Sequence, residues 1–315
     1  MYTSGTATLR SSAHRAVYSK SRKEAPPPAA PSGRLPDAVR EVQYVDYDVS
    51  RHDLRPAIVS LLHRAGPCVG DWGESSSDRR LEDFVVAVEA LKGNNGTCEE
   101  AQAHLADLVA ADEGQGGSAE VGEGGNLGRD CVRLDQGGGG GGGGAGSAGL
   151  LPMFDRLVTG VILPHLKRRL AACGALDPKG GDKGDGAFRF WYQRPPTLRL
   201  QPGPSSRYVR PHCDAEYGHQ DGELNFWMPL TDVGETQTTL WVESAPDEGD
   251  YAPLAVNFGQ VALFHGSSRR HHVPANPTMA TRMSLDFRIG VEGYFDPAWT
   301  MRGTKADHNR REVVL

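Results

Sequence analysis

The sequence predicts an α+β protein in which helices brace a double-stranded β-helix, the jelly roll formed by two antiparallel sheets. Through the first half of the chain, apolar residues recur at helical spacing. From Phe188 onward, short runs of aromatic and β-branched residues alternate with Gly, Pro and Asp. Helices followed by short strands are typical of α+β folds, and strands at this spacing indicate an antiparallel sandwich or barrel.

Composition divides the chain into five segments. They are a disordered tail or transit peptide at 1–35, a helical support region at 36–112, a Gly-rich flexible insertion at 113–149, a long helix with the jelly-roll core at 150–295, and a C-terminal tail at 296–315. The first 23 residues contain no Asp or Glu, as in organelle transit peptides, and a disordered tail explains them equally well. The compartment is therefore the cytoplasm or, if the segment is a transit peptide, a plastid or mitochondrion. Eight consecutive glycines in the insertion cannot offset their ordering entropy by burial.

Periodicity places the individual elements. Helices are predicted at Asp53–Ala65, Asp78–Lys92, Cys98–Ala111 and Leu150–Ala172, the last with a kink at Pro164. Strands are predicted at Phe188–Tyr192, Thr197–Gln201, Leu224–Leu230, Thr238–Glu243, Gln260–Phe264 and Met283–Ile289. In the last strand Arg282, Ser284, Asp286 and Arg288 share one face, while Met283, Leu285, Phe287 and Ile289 share the other.

Composition also limits the function classes. With 34 basic and 40 acidic residues the net charge is −6, which gives no indication of nucleic-acid binding. Five widely spaced cysteines without a CxxC pair favour a reducing compartment over a disulfide framework. No run approaches the roughly 18 apolar residues of a membrane span. We expect a small-molecule substrate; oligomeric state is not predicted.

The candidate site combines histidines, a carboxylate and an arginine in a definite order. His212 and Asp214 are two residues apart, a distal histidine follows some sixty residues later, and Arg282 lies beyond it. Two imidazoles and one carboxylate on one face of Fe(II) leave positions open for oxygen chemistry. An arginine suits the far carboxylate of a 2-oxo acid, and Ser284, on the same face, adds a hydroxyl.

Two alternatives arise within this pattern. His219 and Asp221 form a second HxD pair, but Asp221-Gly222 is typical of a turn, a poor place for a rigid ligand. The distal histidine could be His265, His271 or His272, and residue spacing alone does not separate them. At most one of His271 and His272 can face the metal, because adjacent strand residues point to opposite sides.

The sequence resembles the Fe(II)/2-oxoglutarate-dependent oxygenases. The matching runs begin at 211–220 and 222–231 and continue with Leu240–Ser244 and Thr281–Arg288. Within that group it is similar to the phytanoyl-CoA-dioxygenase-like branch that includes the streptomycin-cluster oxygenase and the algal kainoid synthases. The resemblance covers roughly Thr197 to Ile289.

The resemblance implies a site as well as a fold. It places the distal ligand five residues before an Asn and eleven before the Arg, which selects His271, although His272 stands where relatives often carry Tyr. His212, Asp214 and His271 would then hold Fe(II), and Arg282 and Ser284 would hold 2-oxoglutarate. Gln201 would line the 2-oxoglutarate pocket. The implied reaction uses O2 to hydroxylate, desaturate or cyclise a small molecule, in the manner of enzymes of secondary metabolism.

Further hypotheses concern the substrate and the class of protein. Six arginines near the expected mouth indicate either an anionic substrate or an ordinary solvated rim: Arg194, Arg199, Arg207, Arg210, Arg269 and Arg270. A catalytically silent metal-binding jelly roll and a Zn hydrolase are the alternative classes. Arg282 and Ser284 argue against the first, and oxygen dependence would distinguish the second.

Overall fold

A computed structural model describes residues 33–73, 79–87, 107–112, 149–176, 187–206, 208–299 and 309–315. Residues 1–32 of the predicted N-terminal tail or transit peptide, nearly all of the Gly-rich insertion, and Arg207 lie outside the described residues. None of the described helices is long and apolar enough to cross a membrane.

The strands of the described residues are short and are named β1 to β13 in chain order. They are Gln43–Asp46, Gly70–Asp71, Val85–Val86, Arg189–Gln193, Thr197–Gln201, Val209–His212, Glu223–Pro229, Trp241–Val242, Ala252–Pro253, Gln260–Phe264, His271–Val273, Arg282–Val291 and Arg310–Val314.

Two antiparallel sheets dominate the fold. The larger has the order β1-β10-β7-β12-β4-β13, with β5 also paired to β12, and the smaller has the order β6-β11-β8-β9. From β5 to β12 the chain passes repeatedly between the two sheets, so that β5, β7, β10 and β12 lie in one and β6, β8, β9 and β11 in the other. The predicted mixture of helices and antiparallel strands is confirmed. Residues 310–314, in the segment predicted as a tail, form the edge strand β13 against β4.

The helices of the described residues precede most of the strands. The α-helices are Asp37–Arg40, Val49–His52, Arg55–Ala65, Leu150–Leu157, Leu163–Ala172 and Val233–Thr236, and residues 107–111 are also helical. The predicted long helix is confirmed with one irregularity, a π-helical turn at Val158–Ile162. Pro164 lies two residues beyond this turn and lacks the N–H that a regular α-helix would donate to the preceding turn. The wider turn accommodates that missing donor.

The predicted helix Asp78–Lys92 is wrong over its described part, residues 79–87. Leu81–Asp83 form a 3-10 turn, and β3 then pairs with β2. Tertiary hydrogen bonds hold this backbone extended: the Thr281 hydroxyl donates to the Phe84 carbonyl at 2.5 Å, and Ala87 N–H donates to Val69. Leu81 and Phe84 are nevertheless buried. The apolar spacing therefore predicted correctly which side chains are buried, but it predicted the wrong backbone conformation.

The core lies between the large sheet and the helices. Met283, Leu285, Phe287 and Ile289 are each at most 1% exposed. Phe287 meets Phe154 of the long helix edge-to-face with ring centroids 4.9 Å apart. The apolar face of β12 therefore lies under the helices, as the alternation predicted. Its polar face, which starts at Arg282, points into the interior between the two sheets.

Candidate metal centre

His212, Asp214 and His271 come together in the fold. His212 ends β6 and is the direct antiparallel partner of His271, the first residue of β11. Asp214 begins a 3-10 turn, and its N–H donates to the Gly266 carbonyl at 2.8 Å. One ligand atom from each of the three side chains lies within 4.8 Å of the others. Asp214 Oδ1 is 3.8 Å from His212 Nε2 and 3.5 Å from His271 Nε2.

A hydrogen bond to a backbone carbonyl orients each of the two imidazoles. Nδ1 of His212 is 2.8 Å from the Arg210 carbonyl, and Nδ1 of His271 is 3.1 Å from the Arg269 carbonyl. A carbonyl oxygen only accepts, so Nδ1 carries the proton in each ring. The unprotonated Nε2 atoms are left facing Asp214, which is the arrangement that histidine ligands of a metal require.

Two residues that were not predicted as site residues donate hydrogen bonds to the Asp214 carboxylate. Its Oδ2 accepts from Asn225 Nδ2 at 2.6 Å and from Arg288 Nε at 2.9 Å. Oδ1 is thereby directed at the histidines. Arg288 shares the polar face of β12 with Arg282, and that shared face was the one signal in the sequence that could have identified it. The side chain of Asn225 points inward from β7, which only the register of the sheet shows.

Burial and charge together set the protonation of this cluster. Burial alone would raise the pKa of Asp214, but the neighbouring Arg288 guanidinium holds it well below its usual range. Burial, together with the neighbouring His271, lowers the pKa of His212. Near neutral pH Asp214 is therefore a carboxylate and His212 a neutral imidazole, the forms that bind a divalent cation.

The other candidate histidines are engaged elsewhere. His219 Nδ1 pairs with the buried Glu223 at 2.9 Å. His265 Nε2 is 2.8 Å from the Asp221 carbonyl, and Asp221 itself pairs with Arg40. His272, adjacent to His271, contacts the rings of Trp241 and Tyr251 instead of Asp214. Within the described residues, neither the second HxD pair nor His265 nor His272 forms part of a three-ligand cluster.

Arg282 is buried without a carboxylate partner. It is 5% exposed and donates to Gln201 Oε1 at 3.3 Å and to Ser284 Oγ at 3.1 Å. Its Nε has no partner among the described residues, and none of their carboxylates forms an ion pair with it. Burial lowers its pKa to about 10, so the guanidinium remains charged at neutral pH. A buried cation without an ion-paired carboxylate is costly, and a bound anion would reduce that cost.

Three of the six arginines expected at the mouth form ion pairs with carboxylates of the protein, and two donate to neutral oxygen atoms. The described contacts are Arg194 with Asp155, Arg199 with Asp286, Arg210 with the Tyr217 hydroxyl, Arg269 with the Glu243 carbonyl, and Arg270 with Glu216. Arg207 lies outside the described residues. The hypothesis that these arginines select an anionic substrate therefore gains no support from their contacts.

Comparison with known proteins gives partial similarities. No family model matches the chain. It is 32% identical over 114 residues to the streptomycin biosynthesis protein StrG of Streptomyces griseus, across 36% of this chain. The chain spans about half, 53%, of the length of that curated relative.

Several of the solved structures with detectable similarity are described as non-heme enzymes. The carbocyclase SnoK, described as alpha-ketoglutarate-dependent and from nogalamycin biosynthesis, is 12% identical over 84% of this chain and 86% of its own, with a TM-score of 0.40. The monooxygenase ThoJ in complex with Ni is 19% identical over 48% and 56%, with a TM-score of 0.33. Similarity at this level does not establish a shared fold or activity.

We expect metal binding to distinguish His271 from its neighbour. His271→Ala should weaken Co(II) binding severely, because it removes one of three converging ligand atoms. His272→Ala, a matched change one residue away, should bind Co(II) as the wild type does. Titration of each purified apoprotein by the visible absorption of Co(II) measures this. Equal losses in both variants, or a loss only in His272→Ala, would contradict the assignment.

Arg288→Gln should weaken metal binding by roughly 10- to 100-fold, the usual cost of losing a hydrogen-bond partner of a metal ligand. The physical reason is that Asp214 loses its charged tether and turns away from the histidines. Arg311→Gln is the control, since Arg311 forms an ion pair with Asp155 on the helix side of the sheet, away from the metal ligands. If both variants bound Co(II) as tightly as the wild type, Arg288 would have no role in orienting Asp214.

Proposed function

We propose that the protein is an Fe(II)- and 2-oxoglutarate-dependent dioxygenase that acts on a small molecule. The proposal rests on two features that lie in the same interior. The interior between the two sheets contains a cluster of two histidines and one carboxylate, and it also contains a buried guanidinium with which no carboxylate of the described residues forms an ion pair. A structural metal would need the cluster of histidines and carboxylate but would have no use for the buried guanidinium.

The donor set fits the proposed metal. His212, Asp214 and His271 offer two neutral imidazoles and one carboxylate, the combination typical of non-haem Fe(II) oxygenases, and three ligands leave positions open for a co-substrate and O2. When bound, Fe(II) and 2-oxoglutarate would supply the oxidising chemistry: O2 is consumed, 2-oxoglutarate becomes succinate and CO2, and a substrate C–H bond is oxidised.

The residues of this chain would bind and orient the reactants. Arg282 and Ser284 would hold the distal carboxylate of 2-oxoglutarate, with the guanidinium aimed by Gln201 Oε1 at 3.3 Å. Gln201 is itself fixed by donation to the Pro274 carbonyl at 2.8 Å. The Trp227 ring lies 5.3 Å from the Arg282 guanidinium carbon, where it would form another side of the pocket and limit water access.

The proposal extends to the fold and the family. The regular passage of β5 to β12 between the two sheets supports a double-stranded β-helix. The local identity to StrG and the motifs from Thr197 to Ile289 support a place in the phytanoyl-CoA-dioxygenase-like branch. We infer no particular outcome among hydroxylation, desaturation and cyclisation, because the residues that hold the metal serve all three.

The proposal predicts an absorption band under anaerobic conditions. Fe(II) and 2-oxoglutarate added together should give a metal-to-ligand charge-transfer band that neither gives alone. Arg282→Ala should weaken 2-oxoglutarate binding by roughly 10- to 100-fold, the worth of a hydrogen-bonded charge pair, while Fe(II) binding persists.

A second 2-oxo acid supplies the control. 2-Oxobutanoate has the chelating end of 2-oxoglutarate but no distal carboxylate, so the wild type should prefer 2-oxoglutarate, and Arg282→Ala should lose that preference. No band in a folded wild type that binds Fe(II) would contradict the proposal and favour a silent metal-binding module. Turnover of a substrate without O2 would favour a hydrolase.

A further inference from the structure

We propose that Arg40 is a positioning residue for the metal centre, on which it acts from the N-terminal helix Asp37–Arg40 through the turn at 265–269. The inference rests on the metal centre of the proposed function, but on neither the reaction nor the substrate. It gives a role at the site to a residue far outside the region, roughly Thr197 to Ile289, that resembles the oxygenases.

The turn at 265–269, which connects β10 to β11, orients two of the three candidate ligands. The Gly266 carbonyl accepts from the Asp214 N–H at 2.8 Å. The Arg269 carbonyl is the 3.1 Å partner of His271 Nδ1. A displacement of this turn would therefore move two ligands of the cluster.

The turn also packs tightly against Asn225, the amide that donates to Asp214 Oδ2. The Gly266 N–H donates to Asn225 Oδ1 at 3.2 Å. A Cβ atom at Gly266 would lie only 2.5 Å from that same Oδ1, so the backbone approaches the amide as closely as glycine allows. Any shift of the turn is thus passed on to the amide that holds the ligand.

Arg40 fixes the turn through a closed ring of hydrogen bonds. Arg40 is 4% exposed, and its Nη2 donates to Ser268 Oγ at 2.8 Å. Ser268 Oγ is 2.7 Å from His265 Nδ1, and His265 Nε2 is 2.8 Å from the Asp221 carbonyl. Arg40 Nη1 completes the ring by donating to Asp221 Oδ2 at 3.0 Å. The ring joins the N-terminal helix, the turn and the segment that follows Asp214.

The proton positions in this ring follow from its acceptors. A carbonyl oxygen only accepts, so His265 Nε2 carries the proton and Nδ1 accepts from the Ser268 hydroxyl. The Ser268 oxygen in turn accepts from Arg40. Burial, together with Arg40, lowers the pKa of His265 to about 4, so the imidazole is neutral near pH 7. Each hydrogen bond of the ring therefore has one donor and one acceptor.

Loss of the guanidinium would open the ring at two places. Ser268 Oγ and Asp221 Oδ2 would both lose the donor that Arg40 supplies. The turn would then keep its local backbone hydrogen bonds but lose its connection to the helix. The expected consequence is a less precise placement of Asp214 and His271, and hence weaker metal binding.

Co(II) titration of purified apoproteins tests the proposal with two variants and one control. Arg40→Gln removes the charged donor, and Ser268→Ala removes only the hydroxyl that connects Arg40 to His265. Arg169→Gln is the control, because Arg169 Nη2 donates to the Ala38 carbonyl at 2.8 Å and so ties the same N-terminal helix to the long helix. Thermal unfolding of each apoprotein is measured in parallel.

We expect Arg40→Gln and Ser268→Ala each to weaken Co(II) binding by roughly 2- to 30-fold, the range for changes within a connected network. Both should alter the visible Co(II) spectrum, because the ligand geometry changes. The double variant should bind no more weakly than the weaker of the two single variants, since both changes break one connection. Arg169→Gln should keep the wild-type Co(II) affinity even where it lowers the Tm.

Wild-type Co(II) affinity in either folded variant would overturn the role of Arg40. If Arg40→Gln did not fold, Ser268→Ala alone would decide. An equal loss of affinity in Arg169→Gln would also overturn it, because docking of the helix in general would then be responsible. A wild type that binds no Co(II) would instead overturn the metal centre on which the proposed function rests.

Discussion

The division of β12 into a polar and an apolar face is the constraint on which the rest of the structure depends. Phe287 and its alternate neighbours are buried under the long helix, which leaves Arg282, Ser284, Asp286 and Arg288 no direction but the space between the sheets. A shift of one residue in register would exchange the two faces and bury four polar side chains in the helix interface. Hydrophobic packing on one side therefore fixes the chemistry on the other.

Much of the candidate site could be predicted because its signals are local. His212 and Asp214 are two residues apart, and Arg282 and Ser284 lie on one strand with an unmistakable alternation. The distal histidine was different. Residue spacing by itself did not separate His271 from His272, whereas the family resemblance selected His271. The pairing of β11 with β6 then places His271 directly opposite His212. Asn225 and Arg288 were not assigned, since their contact with Asp214 depends on tertiary structure.

The fold shows a similar limit. The long helix and most of the core strands followed from periodicity, whereas residues 79–87 were misread as a helix. Their apolar spacing is real, but hydrogen bonds to Val69 and Thr281 hold the backbone extended. Periodicity reports which side chains are buried, and distant partners can still decide the backbone conformation. The edge strand β13 is likewise defined by its pairing with β4 more than by its own residues.

The central claim is that one interior holds both the metal and the 2-oxo acid. Crystals grown anaerobically with Mn(II) and 2-oxoglutarate test it most directly, with anomalous scattering to locate the metal. The account predicts one strong anomalous peak bonded to His212 Nε2, Asp214 Oδ1 and His271 Nε2, and the distal carboxylate of 2-oxoglutarate on Arg282. A metal at His219 and Glu223, or a 2-oxoglutarate whose distal carboxylate lies away from Arg282, would contradict it.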